Sequence, residues 1–302
     1  MFQSVLDDIE NGKSVSAERI ADALKSIFLN YPKDIHGEVA LYALPLFLQL
    51  DQNFASCKET VVGLYREKEL PDTLRVAMLE IMDRHFDHDL AGVVTDVFMD
   101  KDSEDSLMLG KSAKVLAGRN IDISGELMER YPDATDVEKR YYAESLAYLK
   151  KKEALPMISE DIERMEDVAL QSSLIQSYAK LAPGDSKTIS RLVEIADGSS
   201  VAKNELKPEI LSIQAVVALG RSNTPQAYRE LLEVVENEEA LPSVRIVAVE
   251  SFYTLPESMK AEVAVSLQKL STEIPNSKSL DHIDRERLST HIKRVLSFLS
   301  KE

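Results

Sequence analysis

The chain has 302 residues, with 52 Asp and Glu against 36 Lys and Arg, and a formal charge of -16 at pH 7. That charge argues against holding a nucleic-acid backbone, where affinity comes from cations set against phosphate, and against docking on anionic lipid. A single cysteine, Cys57, excludes an intrachain disulfide and thiolate metal cages, and fits a reducing compartment.

Length alone suggests about two globular domains. Trp is absent, and Ala, Leu, Val, Glu and Lys dominate, so propensity and pattern favour an all-α protein. Ten Gly and eleven Pro, with no low-complexity run or long polar linker, mark no place to divide the chain. The opening MFQSVLDDIE lacks the basic and apolar parts of a signal peptide. The longest apolar run, residues 39–48, is interrupted by Pro45 and falls short of the about 20 residues that span a bilayer. It reads as a buried helix kinked at its proline, and the expectation is a soluble, cytoplasmic protein.

In chain order, Ser16 is placed to cap a helix over 16–29 with Ile20, Leu24, Ile27 and Phe28 inward, ended by Tyr31-Pro32. The kinked helix over 39–50 follows. Asn53 is placed to cap a helix reaching 66 that buries Val61, Val62 and Leu64 or Tyr65, with Cys57 near its inner face. Residues 1–69 are expected to act as an N-terminal cap. Paired helices then run on: 71–84 with 88–99, 104–117 with 124–130, 136–150 with 154–166, 168–181 with 186–196, and 206–219 with 224–236. Gly220 is the expected stop and Thr224-Pro225 the expected capped start between the last two. A hairpin over 241–274 leads to a final helix over 280–299, with residues 276–302 expected to close the far end.

One unit recurs. In residues 241–255, LPSVRIVAVESFYTL, Val244, Val247, Ala248, Ser251, Phe252 and Leu255 share a helical face behind Pro242, with Arg245 just after the first turn. Residues 70–82, LPDTLRVAMLEIM, repeat the Leu-Pro start, the arginine (Arg75) and the stripe Leu74, Met78, Leu79 and Met82. Residues 137–149 carry Arg140, Ala143, Leu146 and Leu149 in the same phase. Matching Met78, Ala113, Ala143, Leu174, Ala215 and Ala248 spaces the units by about 30 to 40 residues, the period of helical repeat arrays. A hairpin this small cannot bury both apolar faces alone and needs neighbours.

Through LPDTLRVAMLEIM and LPSVRIVAVESFYTL the chain resembles the HEAT-repeat family over residues 70–275. The resemblance implies a right-handed α-solenoid of stacked antiparallel helical hairpins, with the second helix of each hairpin on the concave side. The family's usual Asp stands at Asp72, whereas Ser243 occupies the corresponding place before Arg245.

Chemistry-bearing motifs are few. Phosphate loops, dinucleotide fingerprints, nucleophile elbows and metalloprotease His-Glu pairs are missing. The HEAT-repeat enzyme deoxyhypusine hydroxylase takes iron on His-Glu dipeptides, and this chain has none. HEAT-like DNA glycosylases use a basic, Trp-containing groove, which an acidic chain without Trp does not offer. His85 and His88 lie near Asp87 and Asp89, but they fall at a helix junction where solvated and capping roles are expected. No catalytic residue, metal ligand or cofactor is assigned.

Surface charge remains. On 154–166 the apolar Leu155, Ile158, Ile162 and Met165 turn inward, leaving Glu160, Asp161, Glu163 and Glu166 outward with Arg164 as the only local cation. On 224–236, Tyr228, Leu231, Leu232 and Val235 turn inward and leave Glu230, Glu233 and Glu236 outward; Asp96 and Glu194 add to the pattern. The expectation is a non-catalytic scaffold or regulator that binds a basic protein or peptide through Glu160, Glu163, Glu166, Glu230, Glu233 and Glu236. The alternative is a modifying enzyme or small-molecule-binding protein in the same frame, such as a phycobilin-lyase-like protein.

Overall fold

The computed structural model describes residues 1–100, 106–197, 207–277 and 279–300. Among these the chain forms 18 α-helices and no strand. The starts expected at 104 and 206 lie outside the described residues. None of the described helices is long and apolar enough to cross a membrane. The chain divides into two compact units, Met1–Ser145 and Leu146–Glu302.

The first unit begins with α1 (Phe2–Glu10), a helix absent from the sequence expectation, which buries Val5. Ser16 caps α2 (Ala17–Asn30) by accepting from the Arg19 N–H, as expected. The apolar run forms two helices, α3 (His36–Tyr42) and α4 (Leu44–Gln52), broken at Ala43 just before Pro45. Only one face of it is covered. Val39, Leu46, Phe47 and Leu50 are buried, while Leu41 is 74% exposed and Tyr42, Leu44 and Leu48 also reach solvent, so the expected single kinked buried helix is two helices buried on one face. Asn53 stands at the N-cap of α5 (Phe54–Arg66), as expected, but its side chain makes no capping bond there; its amide donates back to the Gln49 carbonyl and so closes the end of α4. On α5, Val61, Leu64, Tyr65 and Cys57 are buried. Next come α6 (Asp72–Arg84), α7 (His88–Met99), α8 (Ser106–Gly118), α9 (Ser124–Arg130) and α10 (Asp136–Tyr148), which contains the boundary between the units. In the first unit α6 packs on α4, α5 and α8, while α2 packs on α5.

The second unit comprises α11 (Leu155–Arg164), α12 (Val168–Leu181), α13 (Ser186–Ala196), α14 (Lys207–Ser222), α15 (Pro225–Glu236), α16 (Pro242–Glu250), α17 (Glu257–Glu273) and α18 (His282–Leu299). Within it α12 packs on α14, α14 on α16 and α16 on α18, forming one row of helices. A second row runs from α13 to α15 to α17. Across the rows α13 packs on α14 and α15 on both α14 and α16, so these helices bury their stripes both along a row and across to the other.

The phase read from the sequence matches this packing. Met78, Ala113, Ala143, Leu174, Ala215 and Ala248 are all completely buried. Two arginines are buried with them: Arg75 is 1% exposed and Arg245 2%. Arg75 Nε donates to the Tyr65 carbonyl at 2.9 Å, and Arg245 Nε donates to the Val235 carbonyl at 2.9 Å, in both cases ten residues back at the end of the preceding helix. Each guanidinium thus serves a carbonyl that the ending helix leaves without an intrahelical donor. The Leu-Pro starts, however, differ by one residue. Pro71 is the N-cap of α6, whereas Leu241 is the N-cap of α16 and Pro242 its first residue. Arg140, grouped with them by phase, is instead exposed beside the Tyr141 ring.

Gly220 does not stop α14, which continues to Ser222 and turns at Asn223 with φ 50°. Glycine is required there for another reason: a Cβ at 220 would stand 2.8 Å from Ser251 Oγ, so the residue permits α14 to approach the turn after α16. Thr224 does cap α15, accepting from the Ala227 N–H.

Ala248 lies in the row of α14, α16 and α18 with no exposed surface. Ala248→Leu is expected to overpack this crossing and cost about 1 to 3 kcal/mol. A urea midpoint equal to that of the unaltered chain would show that the site can expand without strain.

Candidate functional site

All six carboxylates assigned to binding lie in the second unit, and their surroundings separate them into three settings. The first is α11. Its inward face holds Ile158 and Ile162, as expected, but Asp161 is also buried, at 8% exposure, which corrects its outward placement. Positions 158, 161, 162 and 165 fall on one helical arc, so the aspartate is carried inward with its apolar neighbours. Glu160 pairs with Arg164 one turn on. Glu163 accepts from Arg191 Nη2 of α13 at 2.6 Å, and Arg191 Nη1 donates to Glu194 Oε2 at 2.8 Å. Arg164 is thus not the only local cation. Arg191, with its side chain 13% exposed, sits between two carboxylates and offsets much of their field. Glu166 is exposed but not helical, because α11 ends at Arg164 and Asp167 starts α12 by accepting from the N–H groups of Ala169 and Leu170.

The second setting joins α13 to α15. Tyr228, Leu231, Leu232 and Val235 are buried as expected, and Ala227 and Val234 join them. That leaves Glu230 half-buried and Glu233 exposed, one turn apart. Asp197 stands at the exposed C-terminal end of α13. Partial burial pushes the Glu230 carboxyl above its ordinary range, and the charges of Glu233 and Asp197 push it further. Asp197 is raised by desolvation of its carboxyl and then by Glu233. Among the described residues no cation forms an ion pair with Asp197, Glu230 or Glu233. The neighbouring Arg229 turns to Glu262 of α17, at 3.3 Å.

The third setting is the end of α15. Glu236 is exposed and borders a cavity of about 150 Å³ together with Glu238, Arg245, Lys269 and Glu273.

No family model, curated protein or solved structure matches the chain.

Among the described residues no group of three or more His, Cys, Asp or Glu is placed to hold a metal ion. The polar junction at 85–89 is divided among separate partners: His85 bonds to Asp51 at 2.8 Å and stacks on Phe54, while Asp87 caps α7 and pairs with Lys58. Asp96, in the first unit, pairs with Arg66 at 3.1 Å. Asp197 and Arg191 escaped the sequence reading. The spacing of Arg191, Glu194 and Asp197, three residues apart in sequence, would have placed them on one face of α13.

Because Glu233 raises both neighbours, Glu233→Gln is expected to lower the pKa of Glu230 and of Asp197, read by carboxyl-carbon NMR titration. The sign of the stability effect follows. A carboxyl raised on folding contributes stability that is fully present below its unfolded value and is lost as pH rises through its folded value. The substitution should therefore raise stability at neutral pH, by no more than about 0.5 kcal/mol at so open a site. That gain should fade as the pH falls through the raised folded values toward the ordinary carboxylate range. An unchanged titration of Glu230 and Asp197 would show that the three groups do not share a field.

Proposed function

We propose that the chain is a non-catalytic scaffold or regulator that binds a basic protein or peptide through the carboxylate face of α13 and α15. The observation that carries this reading is the group Asp197, Glu230 and Glu233, in which desolvation and then the Glu233 charge raise Asp197, desolvation and then the charges of Glu233 and Asp197 raise Glu230, and no cation among the described residues pairs with any of the three. A lysine or arginine from a partner would relieve that repulsion at the moment of contact. Glu160 and Glu163, each already paired, extend the face without adding as much field. Partner neutralisation of the kind an adaptor or immunity protein performs belongs to the same reading.

The frame we propose is a HEAT-like right-handed α-solenoid, with residues 1–69 as its N-terminal cap, 70–275 as its repeats and 276–302 as its closing helix. Support comes from the rows of like helices inside the second unit and from the buried arginines that recur at matching places. An extended array should scatter with a radius of gyration above the compact-domain scaling of about 2.2·N^0.38 Å. A value on that scaling would argue for a globular packing instead.

The binding reading is tested by reversing two charges. Glu230→Lys with Glu233→Lys should leave the thermal melt within about 0.5 kcal/mol of the unaltered chain. Affinity for a lysine-rich peptide should fall at least about tenfold, and binding to the unaltered chain should weaken as salt shortens the Debye length below about 10 Å. A complex indifferent to both salt and reversal would move the binding surface elsewhere.

A further inference from the structure

Arg245 is 2% exposed, and its Nη1 is buried without a hydrogen-bond partner. Leaving a buried charged donor unmatched is costly, and such a group calls for an acceptor that the folded chain does not itself supply. The counterpart Arg75, which makes the same Nε bond to a carbonyl ten residues back, carries no such orphan. The local sequence accounts for part of the difference, since α16 begins with Pro242 where α6 begins with Asp72.

Arg245 also lines the cavity of about 150 Å³ at the end of α15, which the Glu236 and Glu238 carboxylates border. On the α17 side lie Lys269 and Glu273, 3.9 Å apart and one turn from each other, with Leu270, Ile274 and Ser277 completing the wall. A cavity lined by a buried arginine, a lysine and three glutamates suits neither a plain anion nor a plain cation. It suits a group that presents an acceptor inward and a positive charge outward. The cavity is also too small for a chain to pass through, so a peptide would enter it by its end.

We propose that this cavity is a subsite for the C-terminal residue of a basic peptide, the carboxylate accepting from Arg245 Nη1 and a Lys or Arg side chain lying against Glu236 and Glu238. The inference rests on the basic-partner reading above and specifies which end of the partner is held. It joins the end of α15 to the charged face formed by Glu230 and Glu233 on the same helix.

The experiment compares two forms of one probe, an N-acetylated peptide of alternating alanine and lysine ending in lysine, with either a free carboxylate or a carboxamide at its C-terminus. Titration calorimetry on the full chain at low salt reads both. The amide form carries one more net positive charge, so attraction to an acidic face alone would favour it. The subsite instead requires the free acid to bind about tenfold tighter or more. Arg245→Lys, checked first for an intact melt, should shrink that preference by weakening the free acid more than the amide. The comparison of peptides on the unaltered chain does not depend on the variant folding and stands by itself. Equal binding of the two forms, or tighter binding of the amide, overturns the subsite and leaves the basic-partner reading in place. Absence of binding by both forms overturns the two together.

Discussion

A guanidinium that is buried and still charged must hand its protons to fixed acceptors, and twice in this chain that requirement ties the start of one helix to the end of the helix before. Arg75 holds the Tyr65 carbonyl and Arg245 the Val235 carbonyl. Both bonds set the turn between the two helices and therefore the rotation of the second. Three residues on from each arginine lies a completely buried side chain, Met78 or Ala248, so the anchor and the apolar stripe fix the same phase. With its phase fixed, α16 can meet α14 and α18 on one side and α15 on the other. Burial is the larger contribution, but it lacks direction; the arginine supplies direction.

Charge on the surface follows the same spacing. Asp51 with Arg84, Asp83 with Arg119 and Lys58 with Asp87 join residues about one hairpin apart in the first unit, and Glu163 with Arg191 and Arg229 with Glu262 do so in the second. Each exposed pair adds little stability, on the order of 1 kcal/mol or less. Their importance lies in what they neutralise. Where carboxylates have no such partner their charge stays on the surface, and α15 with the end of α13 is one such place.

The helices were legible because apolar residues recur at helical spacing over long stretches, and the six matched positions are all completely buried. Caps were legible where a side-chain oxygen preceded a helix, as at Ser16 and Thr224, and misread at Asn53, whose amide serves the helix before it rather than the helix after. Gly220 shows the limit of local reading: its lack of a Cβ answers to Ser251, 31 residues away, and no local signal announces a close approach. The carboxylates were found as residues but not as a field. Pairing of Glu163 depends on Arg191, 28 residues on, and the raising of Asp197 by Glu233 and of Glu230 by Asp197 depends on two helices meeting. Asp161 was the avoidable error, since its position on the buried arc follows from counting alone.

The one-residue offset between Pro71 at the cap of α6 and Pro242 inside α16 bears on anyone who would recombine these hairpins. Aligning the two by their shared Leu-Pro pair, as a consensus or a chimera would, advances one helix by a residue and turns every side chain by about 100° around its axis. The arginine would then swing away from the carbonyl it serves, with Ile246 or Leu74 at its place, and Met78 would be matched with Val249 and Ala248 with the half-buried Ala77. Splices aligned on the arginine keep the core in register. Those aligned on the proline would yield chains that look more alike in sequence and fold less well.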